Sequence, residues 1–180
     1  MIKIIFFDND CLSSFLWIKK EHLLNQLYPN CLQIPRSVYI ELSKVNHLKL
    51  RVDKMVSLNT IEIIDIDSGT EEYETYTKLI SGTIKRLPRI GRGEAAAITL
   101  AKHRGGILAS NNLRDITFYI KEYSLPYLTT GEIMVQLVEA SLVTINEAET
   151  MWSEMLKKRR KLPTKTFVEY QNKKNRNVIQ

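Results

Sequence analysis

Cysteine is scarce in this sequence. Two residues, Cys11 and Cys31, in a chain of 180 cannot build a disulfide framework. One bridge between them is arithmetically possible, but the expected state is two buried thiols in a reduced, cytoplasmic protein. Histidine is also rare. His22, His47 and His103 fall on separate stretches, and no HExxH or paired Cys-His spacing joins them, so zinc is not expected. Apolar residues never run on for the roughly 20 positions a membrane span needs. The chain opens directly on a short apolar stretch, with no cleavable leader pattern. Glycine is sparse, and Gly91-Arg92-Gly93 does not make a phosphate-cradling loop. No repeat, low-complexity segment or linker interrupts the chain.

What remains is the composition of an ordinary globular protein, 44% hydrophobic and 26% charged. Its length suits one domain with a real core. The net charge of +6 is unevenly spread. From Lys157 onward there are nine Lys or Arg against one Glu, whereas the rest of the chain holds 17 basic and 19 acidic residues. A basic end of this kind is a solvated terminus or a polyanion contact.

Ile2 to Phe7 is a short apolar run that stops at Asp8-Asn9-Asp10. It reads as a strand buried on both faces of an α/β sheet, with Asp8 at its carboxyl end, where such sheets bind ligands. Leucines and phenylalanines from Leu12 to Leu27 predict one amphipathic helix to about Tyr28, with Ser13 and Ser14 near its start. Cys31 to Ile34 is the second strand, and Pro35 suits the first turn of the next helix, whose apolar face is Val38, Leu42 and Val45. A helix over 48–58 follows, with Leu50, Met55 and Leu58 inward. Ile61 to Ile66 is the third strand. A helix from about Glu71 to Lys85 and a loop from Pro88 to Gly93 come next. Glu94 opens a helix of small residues suited to close packing, which Gly105-Gly106 ends. Ile107 to Ser110 is the fourth strand, a helix runs from Leu113 to Tyr123, and Leu125 to Leu128 is the fifth. Helices over 130–142 and 144–161 complete the pattern, the second with a capping box from Thr144 to Glu147. Strands alternating with helices make this an α/β domain with a mostly parallel sheet.

Four acids stand where charge is awkward. Asp8 ends the first strand, Glu41 lies on the helix after the second, Glu94 opens the helix before the fourth, and Asp115 follows the fourth. Right-handed crossovers gather strand ends at one edge. Carboxylates drawn together there repel unless a cation joins them, and hard cations such as Mg²⁺ or Mn²⁺ prefer oxygen donors. Acids at helix starts are also favoured by the dipole alone. Arg89 and Arg92 beside Glu94 could meet a phosphate or pair with surface acids. Trp17 and Trp152 read as packing anchors.

Several blocks resemble the PIN domain, the nuclease fold of VapC-type toxins. Phe7-Asp8-Asn9-Asp10 with Ser14-Phe15 is similar to the family's opening strand and Asp-Thr-Asn-like motif. Ile34 to Leu42 resembles the segment carrying its second acid. Gly93-Glu94-Ala95-Ala96-Ala97 and Ile107 to Asp115 resemble the third block and the Thr-Asn-Asn-x-Arg-Glu block. The part from Leu87 to Leu142 looks most like a branch known only as a domain of unknown function. The resemblance implies a three-layer α/β/α sandwich with strand order 3-2-1-4-5 over residues 1–142. Residues 143–180 would form C-terminal helices and a basic tail packed on or extending from that domain. It implies a metal-dependent, single-strand-selective ribonuclease, with Asp8, Glu41, Glu94 and Asp115 catalytic, and Asp8, Glu94 and Asp115 holding Mg²⁺ or Mn²⁺. Asp10, Ser14, Ser110, Asn112 and Arg92 would support the ligands or the substrate. Many members carry Asp-Asp where this chain has Asn111-Asn112, which leaves the fourth acid to Asp115. RNA, a small antitoxin and a second copy of the chain are the implied partners. Two other readings compete: a PIN-fold scaffold whose site has decayed, and a haloacid-dehalogenase-like phosphatase with Asp8 as nucleophile, Asp10 as general acid and Ser110 on the phosphate.

Overall fold

The structure, a computed structural model, describes residues 3–83 and 89–178. The expected first strand residue Ile2 and the start of the loop at Pro88 lie outside them, as does Lys85; the helix expected to reach Lys85 already ends at Ser81, where Gly82 takes a left-handed φ of 70°. Five short strands, β1 (Ile5–Phe7), β2 (Leu32–Pro35), β3 (Glu62–Ile64), β4 (Ile107–Ala109) and β5 (Tyr127–Leu128), form one sheet in the order β3-β2-β1-β4-β5. Every pairing is parallel, with Ile5 opposite both Leu32 and Ile107. The sheet is therefore wholly parallel, in the strand order the resemblance implied.

Strand alternation sorts the core into two layers. Ile5 and Phe7 of β1 face one side, with Ile34, Leu12, Phe15, Val38, Met134 and Trp152. Phe6 faces the other, with Leu108, Ala95, Ala97, Ile98 and Tyr119. The first layer is built by α1 (Asn9–Trp17), α2 (His22–Leu27), α3 (Arg36–Ser43), α4 (Asn46–Ser57), α8 (Thr130–Glu139), α9 (Ile145–Lys157) and α10 (Phe167–Val178). The second is built by α5 (Glu71–Ser81), α6 (Arg92–Arg104) and α7 (Leu113–Glu122). The alanines of α6 are buried, so small side chains let its backbone lie close to β1, β2 and β4. Gly105 then takes a left-handed φ of 67° and stops the helix.

Three further expectations are corrected. The single helix to Tyr28 is two helices, because Lys19 adopts a φ of 59° and the Lys20 N–H turns back to the Phe15 carbonyl at 3.0 Å. Ser13 and Ser14 do not cap α1. They lie inside it, Ser14 donating to the Asp10 carbonyl at 2.8 Å, while Asp8 is the N-cap. The buried stripe of α4 is Leu48, Val52 and Met55, at helical spacing, and it turns Leu50 and Leu58 outward to 59% and 62% exposure.

Residues 143–178 dock on the same core. Trp152 is buried, donates its indole N–H to the Thr164 carbonyl at 3.0 Å, and packs on Phe167 with ring centroids 5.8 Å apart. Both cysteines are buried and free. Among the described residues, no helix is long and apolar enough to cross a membrane.

Candidate active site

Asp8 sits where β1 gives way to α1, and both elements fix it. Its main-chain N–H continues the sheet to the Ala109 carbonyl at 2.9 Å, and its carboxylate Oδ1 accepts the Cys11 N–H at 2.8 Å as the helix cap. Its Oδ2 accepts the Ser110 hydroxyl, which follows β4 on the neighbouring strand. The side chain is buried at 2% exposure, and burial pushes its pKa from 3.8 up to about 7. The Ser110 and Cys11 hydrogen bonds oppose that rise, and the charges of Asp10 and Glu94 add to it. No cation among the described residues offsets the charge on Asp8.

Glu94 lies in the first turn of α6 and uses its two oxygens differently. Oε2 accepts the Gly91 N–H at 3.2 Å and closes the helix start; Oε1 accepts the Asn112 amide at 2.5 Å. The same amide nitrogen of Asn112 donates to Asp115 Oδ2 at 2.8 Å, and the Asn112 backbone N–H points at the Ser110 hydroxyl, 3.3 Å away. Asp8, Ser110, Asn112, Glu94 and Asp115 are thus one hydrogen-bonded chain. Asp115 itself is exposed.

Glu41 joins from α3. Its Oε1 accepts the Gly93 N–H at 3.2 Å and its Oε2 accepts the Asn9 amide at 3.3 Å. A Cβ on Gly93 would stand 3.0 Å from Glu41 Oε1, so a glycine is what admits this carboxylate beside α6. Glu41 therefore touches the residues next to Asp8 and Glu94 in sequence, although 52 residues separate it from Gly93.

The other expected residues fall less evenly. Asp10 is exposed on the first turn of α1, and its carboxylate has no hydrogen-bond partner among the described residues. Arg92 is exposed, and neither it nor Arg89 forms an ion pair among the described residues. Ser14 is fully buried and bonds no carboxylate. Sequence reasoning missed Asn9 and Asn111 as partners. Asn111 is clamped to the start of α8, accepting the Thr130 N–H and donating to the Thr130 hydroxyl, each at 2.8 Å. The only advance sign was its place in the polar run after β4. A cavity of about 760 Å³ lies elsewhere, beside Trp17, His47 and Leu50.

A family model described as a PIN domain matches residues 4–175, nearly the whole chain. The chain belongs to the PIN-domain family. The match runs past Leu142 into α10, in keeping with the docking of α9 and α10 on the PIN core. PIN domains are a nuclease-type family that typically uses divalent metals, and this membership leaves the phosphatase reading without support. No curated protein matches the chain.

The donors of this PIN site suit a hard divalent cation in kind. They are all oxygens, and the buried Asp8 carboxylate lacks a counter-charge. Each of its oxygens accepts one hydrogen bond, which leaves lone pairs for a ligand. Among the described residues, no three acidic, His or Cys side chains already stand together as a metal cluster. Asn112 and Asn9 instead hold the acids at one amide's distance from the groups around Asp8.

Proposed function

We propose that this PIN domain is a metal-dependent endoribonuclease that hydrolyses phosphodiesters of single-stranded RNA. The observation that carries the reading is the buried, uncompensated Asp8, linked through Ser110 and Asn112 to Glu94 and Asp115. Asp8, Glu94 and Asp115 would hold a Mg²⁺ or Mn²⁺ ion, and Glu41 would complete the acidic set. When bound, the ion lowers the pKa of a water and offsets charge on the phosphate. Ser110 and the Cys11 N–H keep Asp8 in a single orientation. Asn112 aligns Glu94 with Asp115, and Gly93 and Asn9 seat Glu41. One of these carboxylates accepts the proton of the attacking water. Asp10 adds negative charge beside Asp8, and Arg92, free of any ion pair among the described residues, meets the substrate backbone.

The test is Asp8→Asn with single-stranded RNA and Mn²⁺ or Mg²⁺. The variant keeps its circular dichroism and loses metal-dependent cleavage; undiminished cleavage would refute this site. The resemblance to VapC-type toxins supports a role as the toxin of a toxin–antitoxin pair, acting as a homodimer in the cytoplasm. A short neighbouring reading frame whose product blocks cleavage is the matching observation.

A second reading, a PIN scaffold without activity, is favoured by the amides that stand between the acids and by the structural use of Asn111. Calorimetry separates the two, since a scaffold takes up no Mn²⁺ at millimolar concentration.

A further inference from the structure

Two concavities meet beside the hydrogen-bonded acids. A small one, about 130 Å³, lies between Asp10, Asn111 and the basic run Arg159-Arg160-Lys161. A longer one, about 510 Å³, continues from Asn111 and Lys161 past Tyr127 and Tyr170 to Lys173 and Lys174. They share Asn111 and Lys161, so together they make one groove. It starts one residue from Asn112 and two from Asp8, and it leads away between α8 and α10.

The basic wall is a built feature. After α9, Arg159 takes a left-handed φ of 58°, and the Arg160 N–H turns back to the Met155 carbonyl at 3.0 Å. Arg160 is then held by the Ser13 hydroxyl at 3.1 Å, with its guanidinium 5.8 Å from the Trp17 ring centre. Trp152 grips the next stretch at the Thr164 carbonyl. Arg159, Lys161 and Lys174 form no ion pair among the described residues, whereas Lys173 is paired with Glu169 at 2.8 Å. The acids lining the groove are Asp10 and Glu132, and Glu132 is engaged at the start of α8 by the Thr129 N–H at 2.7 Å. Positive charge therefore prevails along the groove, next to the hydrogen-bonded acids.

An aromatic ring interrupts the cations. Tyr127 on the edge strand β5 is 40% exposed within the groove. Lysines spaced along a channel with an exposed ring between them suit a chain of phosphates and unpaired bases. The phosphates meet the ammonium groups and a base stacks on the ring. A duplex offers no free base face to Tyr127.

We propose that this groove carries the single-stranded polynucleotide where it leaves the hydrogen-bonded acids, with phosphates on Arg159, Lys161 and Lys174 and a base on Tyr127. This deepens the nuclease reading and rests on it for the position of the cleaved bond. The test is fluorescence anisotropy with a single-stranded oligonucleotide of about 12 nucleotides. It uses RNA and DNA arms and a duplex arm, on the full chain carrying D8N, in chelator so that nothing is cut. In this background K161E/K174E weakens single-strand binding by about 10-fold or more and lowers the salt slope by about 2. Y127A, a second and uncharged probe, weakens it by about five-fold or more. K54E, a single charge reversal on α4, changes it by less than about two-fold. Unchanged binding by K161E/K174E, or duplex binding as tight as single-strand binding, overturns the groove. If K161E/K174E binds normally while D8N still abolishes cleavage, the groove falls alone. If the binding pattern holds while the unmutated chain cleaves nothing with Mn²⁺, the groove stands and the nuclease reading falls.

Discussion

Helices α8, α9 and α6 each begin with a glutamate that accepts the N–H of its own N-cap residue: Glu132 from Thr129 at 2.7 Å, Glu147 from Thr144 at 2.7 Å, and Glu94 from Gly91 at 3.2 Å. In α8 and α9 the threonine hydroxyl reciprocates by accepting the glutamate's N–H at 3.2 Å, and both boxes are complete. In α6 the N-cap is glycine and cannot reciprocate. The spare oxygen of Glu94 turns instead to Asn112 and, through it, to the strand end where Asp8 lies buried. One local device thus serves two ends. Where the box is whole, the acid belongs to the helix; where half of it is missing, the acid is shared with the site.

Glu94→Gln is the sharpest way to break this comparison. Glutamine retains the cap but not the charge, so cleavage falls by about 100-fold or more while stability barely moves. Glu147→Gln leaves cleavage within about two-fold. Equal losses in both variants would erase the distinction.

The next largest effect belongs to Asp8 without metal. Its folded pKa of about 7 lies above its ordinary value of 3.8, so the folded chain binds the proton more tightly than the unfolded one. Its contribution to stability is full below about pH 4 and is lost as pH rises through about 7. Asp8→Asn escapes that loss. In chelator, its stability gain over the parent should grow between pH 4 and pH 7 to a few kcal/mol, measured by denaturant unfolding. Added Mn²⁺ should shrink the gap by stabilising only the parent.

Gly93→Ala places a Cβ 3.0–3.2 Å from the Glu41 carboxylate and displaces it. Cleavage drops roughly 10-fold for about 1 kcal/mol of stability, a ratio that a purely structural glycine would invert. Thr144→Ala, in a complete box, does the opposite: it costs about 1 kcal/mol in unfolding and nothing in cleavage. Gly91→Ser supplies the missing half of the third box. Its Cβ would meet only Glu94 Oε2, at an ordinary 3.5 Å, and the gain is a few tenths of a kcal/mol in melting experiments.

The parts of the fold that rest on short-range pattern were legible in the sequence. The apolar run ending at Asp8, the small-residue helix after Gly93 and the Thr144 box all stand close to where their residues place them. Parallel order followed from strands alternating with helices, sharpened by the family resemblance. What eluded sequence reasoning depends on contacts between distant residues or on unmarked backbone turns. Nothing flags Lys19 as left-handed, because no glycine or asparagine stands there. On α4, Leu50 and Leu58 look as apolar as Leu48, Val52 and Met55, and only packing against α1 and α3 decides which stripe turns inward. At the site, the positions of the acids could be read, but not their tethers. Asn9 to Glu41 spans 32 residues and Asn112 to Glu94 spans 18, and no local rule pairs an amide with an acid across such gaps.

The neutrality of Asn112 spares the chain a further charge beside its acids. One NH₂ group faces two carboxylates, at 2.5 and 2.8 Å, where the resemblance leads one to expect another acid. A third negative group there would set mutual repulsion against folding until an ion arrived. The amide instead donates to both acids and bears no charge of its own. A divalent cation at this site would take the two acids over from the amide, and the fold would not hang on its presence.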